Sequence, residues 1–128
     1  MARAMTVLVT GAASGIGNAS ALQLIADGHE VVAANSAQEA LRLLNDKTFD
    51  LVLSDQLMPD MTGTQLARII KESHQTLPII LISGVNEVPP DAGYADLFVS
   101  KLEGPAALCQ KILEVLQQKE LKAEAEKR

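Results

Sequence analysis

The sequence predicts an α/β protein in which a five-stranded parallel sheet lies between two layers of helices. Short apolar segments alternate with segments of helical periodicity, at about 25 residues per unit. The strand segments are apolar on both faces, as expected of strands that helices cover on each side. The chain of 128 residues has the length of one small domain. The three-layer α/β/α class is therefore expected for the whole chain.

Each element is marked by local signals. Ser36 and Glu39 have the spacing of a capping box and open the second helix, as Thr62 and Gln65 open the third. Gly28 supplies the residue that ends the first helix. The strands are expected at residues 6–9, 30–34, 49–54, 77–82 and 97–99. The helix residues expected to face the sheet are Leu22, Ile25 and Ala26, then Ala40, Leu43 and Leu44, then Leu66, Ile69 and Ile70, and finally Leu108, Ile112, Val115 and Leu116.

The composition excludes several classes of protein. Eleven basic and 16 acidic residues give a net charge of −5, which argues against a nucleic-acid partner. Cys109 is the only cysteine, so an internal disulfide is impossible and a reducing, cytoplasmic location is expected. The apolar runs are too short to cross a membrane. A monomer without nucleic-acid or membrane partners is expected.

A glycine-rich turn joins the first strand to the first helix. Glycines in such a turn let a ligand approach the backbone, and the free N–H groups of the helix start attract an anion. The segment T-G-A-A-S-G-I-G at 10–17 resembles the T-G-x-x-x-G-x-G fingerprint of short-chain dehydrogenases/reductases, which binds the pyrophosphate of NAD or NADP. On this resemblance, the cofactor-binding residues are Thr10, Gly11, Ser14, Gly15, Ile16, Gly17 and Asn35.

The rest of that family's pattern is missing. Its catalytic pair is Tyr-x-x-x-Lys, but four residues after Tyr94, the only tyrosine, stands Phe98. The chain is also about half as long as those enzymes. We therefore expect no catalysis, and only weak NAD(P) or phosphate binding.

A second set of residues follows the later strands. Asp55 ends the third strand before a proline turn, Ser83 ends the fourth, and Lys101 follows the fifth. Over residues 28–117 the sequence resembles the receiver domain of response regulators. The resemblance implies that Asp55 accepts a phosphoryl group from a histidine kinase, that Ser83 and Lys101 contact this group, and that Phe98 rotates with Ser83 on activation. It also implies the flavodoxin-like strand order 2-1-3-4-5.

The receiver pattern has departures as well. Receivers hold Mg²⁺ with an acidic pair after the first strand, where this chain has Thr10 and Gly11. Asp55 would then be the only carboxylate ligand for Mg²⁺. Leu102 replaces the usual proline after the lysine, and Pro89-Pro90 interrupts the expected fourth helix. Phosphotransfer is therefore expected to be slow or absent.

The two resemblances meet in one domain of residues 1–118, with a Rossmann-like segment at 6–34 and a charged tail at 119–128. They favour a non-catalytic hybrid, natural or engineered, of a receiver scaffold and a dinucleotide-binding loop. Asp55 would stand near the bound pyrophosphate and weaken its binding by charge repulsion. The alternative is a receiver that accepts phosphate at Asp55 in two-component signalling. A strand order of 3-2-1-4-5 would show that the Rossmann-like half dictates the topology.

Overall fold

Five parallel strands form one sheet in the computed structural model, which describes residues 4–10, 22–84 and 92–126. The strands are β1 (Thr6–Thr10), β2 (Glu30–Ala34), β3 (Leu51–Asp55), β4 (Ile79–Ser83) and β5 (Leu97–Ser100). The helices are α1 (described over 22–26), α2 (Ala37–Asp46), α3 (Gly63–Ser73) and α4 (Gly104–Glu126). Short 3-10 turns cover Ala92–Tyr94 and Lys101–Glu103.

The strand order is β2-β1-β3-β4-β5, which confirms the flavodoxin-like topology over the order 3-2-1-4-5. The chain runs outward from β1 to β2, then crosses β1 to continue with β3 on the other side. In sheets of this kind, ligand sites lie at the carboxyl ends of the two strands where the order reverses, which here are β1 and β3.

Each face of the sheet has its own apolar core. One face packs against α2 and α3, and the other against α1 and α4. The buried residues of the first core are Leu8, Ala34, Ala37, Ala40, Leu44, Phe49, Val52, Leu66, Ala67, Ile70, Leu77, Ile79 and Leu81. Those of the second are Met5, Val7, Val9, Leu24, Leu51, Leu53, Ile80, Ile82, Val99, Leu108, Ile112 and Leu116. Burial on both faces explains the continuous apolar character of the strands.

The predicted caps are confirmed. Ser36 accepts a hydrogen bond from the backbone N–H of Glu39 at 3.1 Å. Thr62 and Gln65 form a reciprocal capping box at the start of α3. Gly28 has a φ of 91°, a conformation that few residues other than glycine adopt.

Two helix faces differ from their prediction. In α1, Leu24 is buried, whereas Leu22 and Ile25 are 61% and 55% exposed. In α3, the small Ala67 lies against the core and Ile69 points outward, 38% exposed. Large apolar residues on both sides of a helix leave its rotation ambiguous in the sequence, and packing against the sheet decides it.

The helix α4 continues through position 119, where the predicted charged tail begins. Its stripe of Leu108, Ile112 and Leu116 is buried as predicted. Nζ of Lys119 lies 3.5 Å from Oδ1 of Asp50 and donates to the Asp50 carbonyl oxygen at 3.1 Å. The first residue of the predicted tail is thus fastened to the sheet. No helix in the described ranges is long and apolar enough to cross a membrane.

Candidate functional site

Asp55, Ser83 and Lys101 come together at the carboxyl edge of the sheet. Asp55 pairs with Ile82 in the β3–β4 register, and Ser83 pairs with Ser100, the residue before Lys101. Since strands lie about 4.8 Å apart, the lysine side chain has to reach across β4 to meet Asp55. It does so, with Nζ of Lys101 3.7 Å from Oδ1 of Asp55.

The Asp55 carboxylate is unusually placed for an ionised group. Its side chain is only 12% exposed, at the end of a strand whose other residues are all buried. Burial raises the pKa of Asp55, and the nearby ammonium group of Lys101 partly offsets this rise. Lys101 itself is 35% exposed, so it can remain hydrated while it faces the carboxylate.

Beneath Asp55, two hydroxyl groups are hydrogen-bonded to each other. Oγ1 of Thr10 donates to Oγ of Ser54 at 2.6 Å, and Oγ of Ser54 donates to the carbonyl oxygen of Asp55 at 2.9 Å. Both side chains are buried, and the two residues pair directly in the β1–β3 register. Ser54 was not predicted as a site residue. The signal in the sequence is a polar residue at the end of an otherwise apolar strand.

The loop after β3 passes close to the backbone of Asp55 at Gly63. A Cβ atom at residue 63 would lie 2.6 Å from the carbonyl oxygen of Asp55 and 2.9 Å from Cδ2 of Leu81. The Gly63 N–H also donates to the Gln56 carbonyl at 2.7 Å. Only a residue without a side chain permits this approach.

The same loop is fastened to the start of α2 by Asp60. Its carboxylate accepts hydrogen bonds from the backbone N–H groups of Ala37 at 3.2 Å and Gln38 at 3.0 Å. Hydrogen bonds from these N–H groups lower the pKa of Asp60, and the N–H group of Gln38 has the largest effect. The sequence analysis missed this contact, because nothing local to Asp60 indicates a partner 22 residues away.

The other residues predicted for the two sites lie apart from the Asp55–Lys101 pair or outside the described part of the chain. Phe98 pairs with Leu81 and is half-buried against the core that contains α2 and α3. Leu102 is exposed next to Lys101, and Asn35 is exposed after β2. Outside the described residues lie Gly11, Ser14, Gly15, Ile16 and Gly17 of the glycine-rich segment, and Pro89-Pro90.

The donor set does not fit Mg²⁺. This ion takes oxygen ligands in octahedral geometry and favours carboxylates, which also neutralise its charge. At the two positions where the resemblance to receivers places an acidic pair, Thr10 donates its hydroxyl to Ser54, and Gly11 has no side chain. Among residues 4–10, 22–84 and 92–126, no three His, Cys, Asp or Glu side chains form a group that could hold a metal ion.

Comparison with known proteins shows the family. The model of the response regulator receiver domain matches residues 16–113. The chain belongs to this family. The response regulator FleR of Pseudomonas aeruginosa is 38% identical over 90 residues, which are 66% of this chain and 19% of FleR. The transcriptional regulatory protein GlrR of Escherichia coli is 34% identical over 101 residues, which are 76% of this chain and 23% of GlrR. The chain thus spans about a fifth of the length of these relatives.

Comparison with solved structures leads to the same family. A CheY-like receiver domain protein from Methanospirillum hungatei superposes with a TM-score of 0.82 at 26% identity, over 94% of this chain and 99% of that one. This coverage extends beyond the residues that carried the predicted resemblance to receivers. The receiver domain therefore accounts for nearly the whole chain, and not for its later part alone.

The hybrid interpretation was wrong, and so was the dinucleotide-binding function built on it. The family match begins within the glycine-rich segment and gives no support for a dehydrogenase-like loop or a chimera. An eight-residue glycine pattern between a strand and a helix satisfies steric needs that both folds share, so it identifies neither. Thr10, expected to bind the cofactor, donates its hydroxyl to Ser54. The expectation of a non-enzymatic protein agrees with the family, whose members are generally signalling domains.

Proposed function

We propose that this receiver domain accepts a phosphoryl group on Asp55 in two-component signalling. The observation that carries the proposal is the buried Asp55 carboxylate with Nζ of Lys101 at 3.7 Å. A nucleophilic carboxylate and a fixed cation at the edge of the sheet are what phosphoryl transfer to a side chain needs, since its catalysis rests on positioning and charge stabilisation.

The transfer assigns a role to each residue. An oxygen of ionised Asp55 attacks phosphorus, the bond between phosphorus and the donor breaks, and the donor's leaving atom keeps the electron pair. Lys101 then faces the added negative charge, and the Ser83 hydroxyl donates to a phosphoryl oxygen. Phe98, half-buried against the core, is the aromatic residue that rotates with Ser83.

We infer that the physiological donor is a phosphohistidine of a histidine kinase. This partner belongs to the two-component signalling in which receiver domains act. GlrR is a transcriptional regulatory protein by name. The net charge of −5 argues against DNA contact by this domain itself, so we assign it the receipt of the signal.

The test is incubation with a small phosphodonor, acetyl phosphate or phosphoramidate, followed by intact-mass measurement. The wild-type chain is expected to gain one phosphoryl group, and Asp55→Asn to gain none. Lys101→Met is expected to slow the gain at least tenfold. Asp46→Asn, which changes an exposed carboxylate at the end of α2, is the matched control and should react like the wild type. Wild-type protein that stays unmodified with both donors, with and without Mg²⁺, would contradict the proposal.

A further inference from the structure

We infer that the Asp55 site works without a divalent metal ion, and that Lys101 supplies the cationic charge there among the residues that the structure describes. The inference rests on the proposed function for its chemistry. Its evidence is separate: the donor groups and the charges at the carboxyl edge of β1 and β3.

The first argument concerns ligands. On the resemblance to receivers, the acidic pair falls at Thr10 and Gly11. The Thr10 hydroxyl is buried and hydrogen-bonded to Ser54 at 2.6 Å, and Thr10 pairs with Ser54 and not with Asp55 in the β1–β3 register. Turning this hydroxyl outward would break a buried hydrogen bond and would offer the ion only a neutral ligand. Gly11 offers no side chain at all. Within residues 4–10, 22–84 and 92–126, Asp55 remains as the charged oxygen ligand at this edge.

The second argument concerns charge. Three carboxylates and one lysine, the receiver pattern, sum to a net charge of minus two, which one Mg²⁺ balances. Here one carboxylate and one ammonium group already balance each other at 3.7 Å. A dication placed at Asp55 would be repelled by Lys101 without compensating carboxylates. Dehydration of Mg²⁺ is costly, and this site offers little in exchange.

The consequence is that, among the described residues, Lys101 is the cation that counters the charge of a phosphoryl group on Asp55. We therefore expect the reaction with a small phosphodonor to have nearly the same rate in Mg²⁺ and in EDTA. The reaction is also expected to depend on Lys101 more strongly than a metal-assisted site would.

Binding is tested first, by amide spectra of ¹⁵N-labelled protein titrated with MgCl₂ and, at matched ionic strength, with NaCl. The amides of Asp55, Gln56 and Leu57 are expected to shift equally little in both salts. A saturable shift specific to Mg²⁺ in the wild type would overturn the inference. This titration needs no phosphorylation, so its result stands apart from that of the proposed function.

A gain-of-binding variant tests whether the missing acidic pair is the reason that Mg²⁺ does not bind. Thr10→Asp with Gly11→Asp restores the acidic pair, and Thr10→Asp alone restores half of it. Each variant is first checked for a cooperative thermal transition. The folded double variant is expected to show a saturable, Mg²⁺-specific shift. If it folds and still binds no Mg²⁺, the missing pair is not the cause and the charge argument fails.

The rate is tested last. Modification by phosphoramidate is expected to proceed within about twofold in MgCl₂ and in EDTA. A loss of tenfold or more in EDTA would refute a metal-free site. If neither condition gives any modification, the proposed function fails, and the Mg²⁺ titration alone decides the inference.

Discussion

At the scale of the residue, the carboxyl edge of the sheet is built by a few side chains with strict requirements. Asp55 and Lys101 could be predicted as candidate site residues, because Asp55 ends a strand and Lys101 follows one. The hydrogen bond between Thr10 and Ser54 could not be predicted, because it depends on the β1–β3 register, which joins residues 44 positions apart. Gly63 shows a third case, where the requirement is the absence of a side chain.

Replacing Gly63 by alanine is therefore expected to lower the free energy of unfolding by about 1–3 kcal/mol, because the new Cβ would overlap the Asp55 carbonyl and Leu81. Urea unfolding at neutral pH measures the change. Gly84→Ala is the matched control, since a Cβ at residue 84 meets nothing within 4 Å. Its effect should stay within about 0.5 kcal/mol. Equal changes in the free energy of unfolding at the two positions would show that the close contacts at Gly63 do not make a side chain there destabilising.

At the scale of the element, two helices are connected to other elements by hydrogen bonds of one charged side chain each. Asp60 joins the β3–α3 loop to the start of α2, and Lys119 joins α4 to the amino end of β3 at Asp50. The caps within helices were predictable, because Ser36 and Thr62 lie three residues from their partners. The contacts of Asp60 and Lys119 were not, since each joins elements whose relative positions the sequence pattern leaves open.

Asp60→Ala is expected to lower the thermal midpoint at pH 7, because the first N–H groups of α2 lose their carboxylate partner. The pKa of Asp60 is lowered in the folded protein, so its stabilising contribution is present above the unfolded pKa. That contribution is lost as the pH falls through the folded pKa. Melting curves at pH 7 and at about pH 3 should thus show a difference between variant and wild type that shrinks in acid.

Asp46→Ala is the control for this experiment, because Asp46 is an exposed carboxylate at the other end of α2. Its midpoint should stay close to that of the wild type at both pH values. A difference for Asp60→Ala that persists unchanged in acid would mean that the ionised carboxylate is not what stabilises the helix start.

At the scale of the whole molecule, one sheet is shared by two apolar cores. Ile70 belongs to the core on the α2–α3 side, and Ile112 to the core on the α1–α4 side. Because both cores pack on the same five strands, losing either removes support from the strands that the other needs. The domain should therefore unfold as a single unit.

Ile70→Ala and Ile112→Ala are each expected to lower the free energy of unfolding by about 2–5 kcal/mol, through lost burial and a residual cavity. Urea unfolding followed by circular dichroism should retain one transition with an unchanged slope. Leu113→Ala, at a residue 39% exposed beside Ile112, is the control and should cost much less. Two separate transitions in either core variant would show that the cores unfold independently.

The sequence by itself determined the α/β class, the helix starts and the placing of Asp55, Ser83 and Lys101 at the carboxyl ends of strands. These features follow from periodicity and capping, which act between near neighbours. Its glycine-rich segment also suggested the wrong function, because a short permissive turn suits several folds. Only the tertiary structure decided the rotation of α1 and α3, the Thr10–Ser54 hydrogen bond and the Lys101–Asp55 pair. Each of these depends on strand order and register, since it requires residues far apart in the chain to meet.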